Sequence, residues 1–308
     1  MNQKLLTKTP VVCLLTLICC LLWGSAFPVV KIGYRMFSIA SSDVGGQILF
    51  AGIRFFLAGV LVILFGSIAS RKLLLPRRSA LAPICLLSLA QTIIQYFFFY
   101  IGLANTTGVK SSIIDASNTF FAILMASLLF RYEKLTRLKL LGCAAGFAGV
   151  ILINLAGGSF DFHMKLTGEG FILIAALSYA LSSVLVKKFS ASENPVMLSG
   201  WQFILGGLVL AAGGFAMGGR ISGFTPSSVL LLLYMAMISA VAYSLWGILL
   251  KYNPVSRIAV FGFMNPVFGV ILSALLLGEK NQAFSLYGLA ALASVSYTHL
   301  TLPTTSRV

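Results

Sequence analysis

Apolar runs of about twenty residues follow one another along this chain almost without pause, and that recurrence constrains the fold more than any motif. A helix needs roughly 20 mainly apolar residues to cross the hydrocarbon of a bilayer. Candidate spans fall at 11–31, 46–69, 80–104, 109–130, 138–156, 168–186, 196–218, 227–250, 256–278 and from 284 onward. Of the 308 residues, 59% are hydrophobic and 9% charged, against about 45–50% and about 25% in soluble domains. The pattern is that of an all-α membrane protein with ten transmembrane helices. The net charge of +15 does not point to nucleic acid, because the basic residues lie between the apolar runs, as membrane topology requires. In alternate segments one side holds 14 Lys and Arg (Lys4, Lys8, Arg71, Lys72, Arg77, Arg78, Arg131, Lys134, Arg137, Lys139, Lys187, Lys188, Lys251, Arg257). The other holds 6 (Lys31, Arg35, Lys110, Lys165, Arg220, Lys280). The basic side faces the cytoplasm, which predicts a multi-pass protein of the cytoplasmic membrane with its N-terminus inside. Lys4 and Lys8 before an apolar core also fit a signal peptide, but the apolar run continues through "WGSAFPVV". Cys13, Cys19, Cys20, Cys85 and Cys143 sit in apolar runs without metal-ligand spacing and read as small buried hydrophobes.

The chain also repeats itself. "GIRFFLAGVLV" from Gly52 matches "GWQFILGGLVL" from Gly200, so that Gly52, Phe55 and Gly59 meet Gly200, Phe203 and Gly207 at an offset of 148. At an offset of 147, Tyr96 meets Tyr243, Lys110 meets Arg257, Asn118 meets Asn265 and Phe121 meets Phe268. Each series ends in Glu-Lys, at Glu133–Lys134 and Glu279–Lys280. Leucine on leucine means little in such a chain; matched Gly, Tyr, Asn and basic positions in one register mark a duplication. With five spans per unit, an odd number, the two units must lie upside down relative to each other. Inverted repeats are a transporter architecture, because two similar halves can exchange conformations and open a midplane site to either side in turn.

These residues resemble the EamA-type members of the drug/metabolite transporter superfamily. The resemblance is carried by "LLWGSAF", "IRFFLAG", "TTGVKSSII" with "LLFRYEKLT", "LLGCAAGFAGVILI" and "NPVSRIAVFGFMNPVFGVILSALLLGEK", in order across about 11–295. It implies two inverted five-helix units, 1–157 and 166–295, joined by an outer linker at 158–165, around a central cavity through which small metabolites move, often outward. One position departs from the family pattern: Thr119 stands where the fourth span usually has proline, as Pro266 does in the ninth. The expectation is that the first half lacks the matching kink.

Candidate site residues are the polar and aromatic ones inside spans. Asp115 lies about 7–9 Å below the outer end of the fourth span, and Arg54 about 10 Å below that of the second. Charges in hydrocarbon cost several kcal/mol and face a cavity or each other. Asp115 thus reads as a structural charge pair with Arg54, as a carboxylate near the positive end of its own helix, or as a cavity group that binds a cation or a proton. Its repeat mate is Gly262, and that of Arg54 is Gln202, so the charges belong to one half only. Gln91 and Gln95 are one turn apart on the third span. Asn118, Asn265, Gln95, Tyr96 and Tyr243 read either as helix–helix hydrogen-bonding residues or as cavity lining. Trp23 and Tyr179 open corresponding stretches of the two halves, as cavity aromatics or as packing. With Asp115 these make the expected substrate-binding set.

An enzyme is not expected. His163 lies in an outer loop and His299 in the tail, and the chain has no phosphate-binding glycine loop, no metal triad and no Ser/His/Asp set. No cofactor or metal is implied, and the partners are the lipid bilayer and a small-molecule substrate. Two readings remain: a secondary transporter of small metabolites such as amino acids or related compounds, working outward by alternating access, and a membrane partner or regulatory protein that does not transport.

The tenth span opens as "FSLYGLAALAS" and then turns to "VSYTHLTLPTTSRV". From 284 to 295 is about 18 Å of helix against a hydrocarbon core of about 30 Å. The tenth helix therefore reads as truncated, and 295–308 as a non-native tail. The charge bias carries a further prediction. Single cysteines in loops 71–79 and 131–137 should resist impermeant thiol reagents added to intact cells, and strong labelling would overturn the orientation.

Overall fold

The computed structural model describes residues 3–132, 134–137, 165–262 and 264–283, with isolated positions elsewhere. Among them every regular element is helical, and eight helices are long and apolar enough to cross a membrane. They are α1 (Thr9–Met36), α2 (Val44–Ser70), α3 (Arg78–Asn105), α4 (Gly108–Leu129), α5 (Leu166–Phe189), α6 (Pro195–Ala216), α7 (Pro226–Tyr252) and α8 (Val255–Leu277). Each overlies a run expected from hydropathy. The expected spans at 138–156 and from 284 onward, the tail after 295 and most of the linker at 158–165 lie outside the described residues. Leu64, Phe65, Ile68, Leu128, Leu129, Phe215, Leu230 and Leu275 are exposed. In water such faces would associate; on a multi-pass membrane protein they meet lipid.

Helix boundaries follow local chemistry. Asp43 accepts from Gly46 N at 2.8 Å to cap α2, and Thr107 accepts from Lys110 N at 3.2 Å to cap α4. Asn194 accepts from Val196 N at 2.9 Å at the start of α6, with Pro195 next. Thr225 and Ser228 form a capping box at α7, with Pro226 between them. Each cap contributes about 0.5–2 kcal/mol, and proline in the first turn gives up no hydrogen bond. Only residues 106–107 separate α3 from α4, and only 253–254 separate α7 from α8, so a tight turn joins each pair.

The most extensive helix contact joins α2 to α6. Gly45, Gly52 and Gly59 on α2, and Gly200, Gly207 and Gly214 on α6, recur every seven residues and so form one stripe on each helix. Gly45 lies against Gly219, Gly52 against Ala211 and Gly59 against Ile204; Gly214 and Gly207 lie against the backbones of Leu49 and Phe56. Numbers rise on one helix as they fall on the other, so the two pack antiparallel. A Cβ on Gly59 would stand 2.6 Å from Ile204 N and 2.7 Å from Gly200 O. Only glycine lets two backbones approach this closely within a membrane.

α8 is interrupted: it consists of Val255–Phe261 and Met264–Leu277, with Pro266 in the first turn of the second segment. α4 has no such interruption where Thr119 replaces proline. Between Gly108–Asp115 and Ser117–Leu124, Ala116 keeps right-handed helical backbone angles (φ −59°, ψ −19°), and a π-helical turn follows at Met125–Leu129. Thr119 N donates to Ala116 O at 3.2 Å, a local tightening of the helix, and Asn118 Nδ2 donates to Asp115 Oδ2 at 3.3 Å as a side-chain pair on one helix face.

The glycine stripe can be tested against its neighbour. Gly207→Val should cost about 1–3 kcal/mol or more by overpacking, read as a lower melting temperature in detergent. A Cβ on Gly213, off the stripe, meets nothing within 4 Å, so Gly213→Ala should leave the melting temperature unchanged or raise it.

Candidate functional site

A narrow cavity of about 60 Å³ lies among α1, α2, α3, α4, α5, α7 and α8. All eight residues expected to bind substrate line it: Trp23, Gln95, Tyr96, Asp115, Asn118, Tyr179, Tyr243 and Asn265. Arg54 lines it as well. Gln91 does not; it donates to Ser182 Oγ at 3.1 Å and accepts from Gln202 Nε2 at 3.2 Å, and so ties helices together.

One wall is aromatic. The Trp23 ring stands 4.9 Å from Trp246, 5.1 Å from Tyr243 and 5.9 Å from Tyr179, all edge-to-face. Tyr243 and Tyr96, repeat mates, share a hydrogen bond between their hydroxyls. A π-helical turn at Ser88–Ile94 leads directly into Gln95; such turns recur at functional sites because they re-aim side chains. Gln95 Nε2 donates to the Tyr243 hydroxyl at 3.4 Å. Trp246 escaped the sequence reading. Its signal was there twice: it is one turn beyond Tyr243, and at the 147 offset it meets Phe99, another lining residue.

The lining also carries a carboxylate. Asp115 is the last residue of the first α4 segment. Its Oδ2 accepts from Asn118 Nδ2 at 3.3 Å. Several polar atoms of the lining are buried without a hydrogen-bond partner: Trp23 Nε1, Gln95 Oε1, Asn265 Oδ1 and the Tyr179 hydroxyl. A buried polar atom without a partner costs about 1–3 kcal/mol. Clustered on one cavity, such atoms are what a polar ligand would satisfy.

Both ends of the bundle are tied by lysines. Lys31 Nζ donates to Thr106 O at 2.6 Å. Beside it, Glu169 accepts from Thr106 Oγ1 at 2.8 Å and pairs with Lys110 at 3.6 Å, while Glu279 accepts from Gly108 N and Val109 N at 3.1 and 2.9 Å. At the other end Lys187 Nζ donates to Asn253 O at 2.8 Å and Leu250 O at 2.9 Å. There Arg257 donates to Thr7 O at 3.1 Å and Thr9 Oγ1 at 3.0 Å.

The EamA-like transporter family model matches residues 10–155 and 166–297. The chain belongs to that family. Similar to it, at 27% identity over 297 residues, is the "Probable amino-acid metabolite efflux pump" of Salmonella typhimurium, with 93% of each chain covered. At 27% over 278 residues it is similar to a chloroplastic WAT1-related protein of Arabidopsis thaliana; 87% of this chain is covered but only 64% of the plant protein's length. A solved crystal structure matches with a TM-score of 0.67 at 19% identity, covering 96% of both chains, which speaks to the fold alone.

Within this EamA-like chain the expected charge pair of Arg54 and Asp115 is not formed. Both line the cavity, but Arg54 donates from Nε to Met235 O at 3.0 Å, from one terminal nitrogen to the Tyr100 hydroxyl at 2.7 Å and from the other to Ser239 Oγ at 3.0 Å. Its guanidinium also lies 4.8 Å from the Phe55 ring centre. The physical reason is that a guanidinium offers a planar fork of donors, which α3 and α7 fill with neutral acceptors. Arg54→Gln should therefore lower the melting temperature, with about 1.5–3 kcal/mol lost for each bond to the charged group. Asp115→Asn, which removes no bond that Arg54 makes, should change it much less.

Proposed function

We propose that this chain is a secondary transporter that moves small metabolites, amino acids or related compounds, out of the cell across the cytoplasmic membrane by alternating access. On this reading two inverted five-helix units, 1–157 and 166–295, make ten spans, the N-terminus lies inside, and the eight lining residues with Arg54 surround the substrate. The names of the Salmonella and Escherichia coli relatives, each a "Probable amino-acid metabolite efflux pump", support both the substrate class and the direction. The lack of a nucleotide-binding motif in the sequence supports coupling to a gradient.

The observation that carries the reading is that repeat mates make mated contacts. Lys31 and Lys187 stand 156 residues apart, as Trp23 and Tyr179 do, and each donates to a carbonyl at a mated position, Thr106 or Asn253. Lys110 reaches Glu169, near the start of α5, and its mate Arg257 reaches Thr7 and Thr9, at the start of α1. Arg54 contacts Met235 and Ser239; its mate Gln202 contacts Ser88 and Thr92, which are the mates of those residues. Two halves that make the same bonds at opposite ends supply two closures of equal kind, which alternating access requires.

Flux tests the proposal directly. Purified protein in vesicles should show counterflow of labelled amino acids, and cells that overproduce it should resist toxic analogues; no movement of any metabolite would leave the non-transporting reading. The closures give a second test. In a variant lacking its five cysteines and carrying Ala26→Cys, the change Lys31→Gln should raise labelling from outside about tenfold or more, and Lys187→Gln should lower it. The figure follows from about 1.5–3 kcal/mol for a bond to a charged group.

A further inference from the structure

We propose that Asp115, Gln95 and Asn265 form a receptor for a primary ammonium group, so that the substrate's amine is obligatory and any carboxylate it carries is dispensable. This rests on the transport reading and narrows it.

The unpartnered carbonyl oxygens of the lining, together with Asp115, are acceptors. Asp115 has one oxygen on Asn118 and the other without a bond among the described residues. Gln95 and Asn265 are 5% and 8% exposed, and each has its carbonyl oxygen unpartnered. The Gln95 amide nitrogen donates to the Tyr243 hydroxyl, and its oxygen has no partner. A primary ammonium brings three N–H donors and no acceptor, the complement of acceptors of this kind. It also brings the charge that Asp115 lacks: a carboxylate at this depth without a cation is costly, and Arg54 is committed elsewhere. The faces of Trp23, Trp246 and Tyr179 are cation-binding surfaces in the same lining.

The same accounting argues against a carboxylate clamp. Arg54 is the basic residue of the lining. It is 2% exposed, and all three of its nitrogens donate to protein acceptors. Among the buried lining atoms of the described residues, the Trp23 indole N–H is the unpartnered group that can only donate; the Tyr179 hydroxyl can give or accept. The rest of the ligand would lie against Phe27, Phe99 and the wall formed by Leu250, Val255 and Ala259, which suits an apolar body.

Three probes of one shape separate the possibilities: 2-phenylethylamine, phenylalanine and 3-phenylpropionate, titrated calorimetrically into the purified full chain. The amine and the amino acid should bind within about tenfold of each other, and the acid roughly 100-fold more weakly or worse, since a site built to accept N–H rejects an analogue without it. Asp115→Asn should weaken both amine-bearing probes by about 100-fold while the unliganded melting temperature holds, and Asp115→Glu should restore part of the affinity. Binding of the acid as tight as that of the amine, failure of all three probes, or unchanged affinity in Asp115→Asn would each overturn the proposal. Vesicle counterflow with an unfractionated cell extract keeps the two claims apart. If metabolites move but amines are not among them, the receptor is wrong and the transporter stands; if nothing moves, the transport reading itself fails.

Discussion

The backbone contact between α2 and α6 sets the geometry on which the rest depends. Glycines spaced by seven on both helices remove the side chains that would hold the two axes apart. In hydrocarbon there is no hydrophobic drive to bring helices together, so close packing must supply the attraction. Because the two stripes are antiparallel, the helices that follow each of them are carried to opposite sides of the seam. That places α3 beside α6 and α7 beside α2, and it brings Arg54 to α7 and Gln202 to α3 as buried cross-ties.

Around that seam the interior is polar to a degree that a soluble core rarely matches. Arg54, Gln47, Gln91, Gln95 and Gln202 are all buried. Most of their bonds run between helices, and they divide into two kinds. Gln91, Gln202 and Arg54 are satisfied by protein and act as struts. Gln95, Asn265 and Trp23 keep an unpartnered atom at the cavity, where satisfaction must come from elsewhere.

Much of this was legible in the residues. Hydropathy located the eight described spans because membrane helices must bury every backbone group internally, and length then follows from bilayer thickness. The lining residues were found because a polar side chain within an apolar run has few reasons to be there. What failed was direction around a helix. Arg54 and Asp115 share a depth, but depth says nothing of azimuth, and the guanidinium turned to Tyr100 and Ser239. Trp246 was overlooked because tryptophan is common in membrane helices; only its register with Tyr243 and Phe99 distinguishes it.

The position of Asp115 along α4 has a mechanical consequence. The segment Gly108–Asp115 is a rod about 12 Å long. At one end its amides are held by Glu279, and at the other it carries the cavity carboxylate. Because the segment is helical, its stiffness couples its two tips to each other, across a distance that no side chain could bridge.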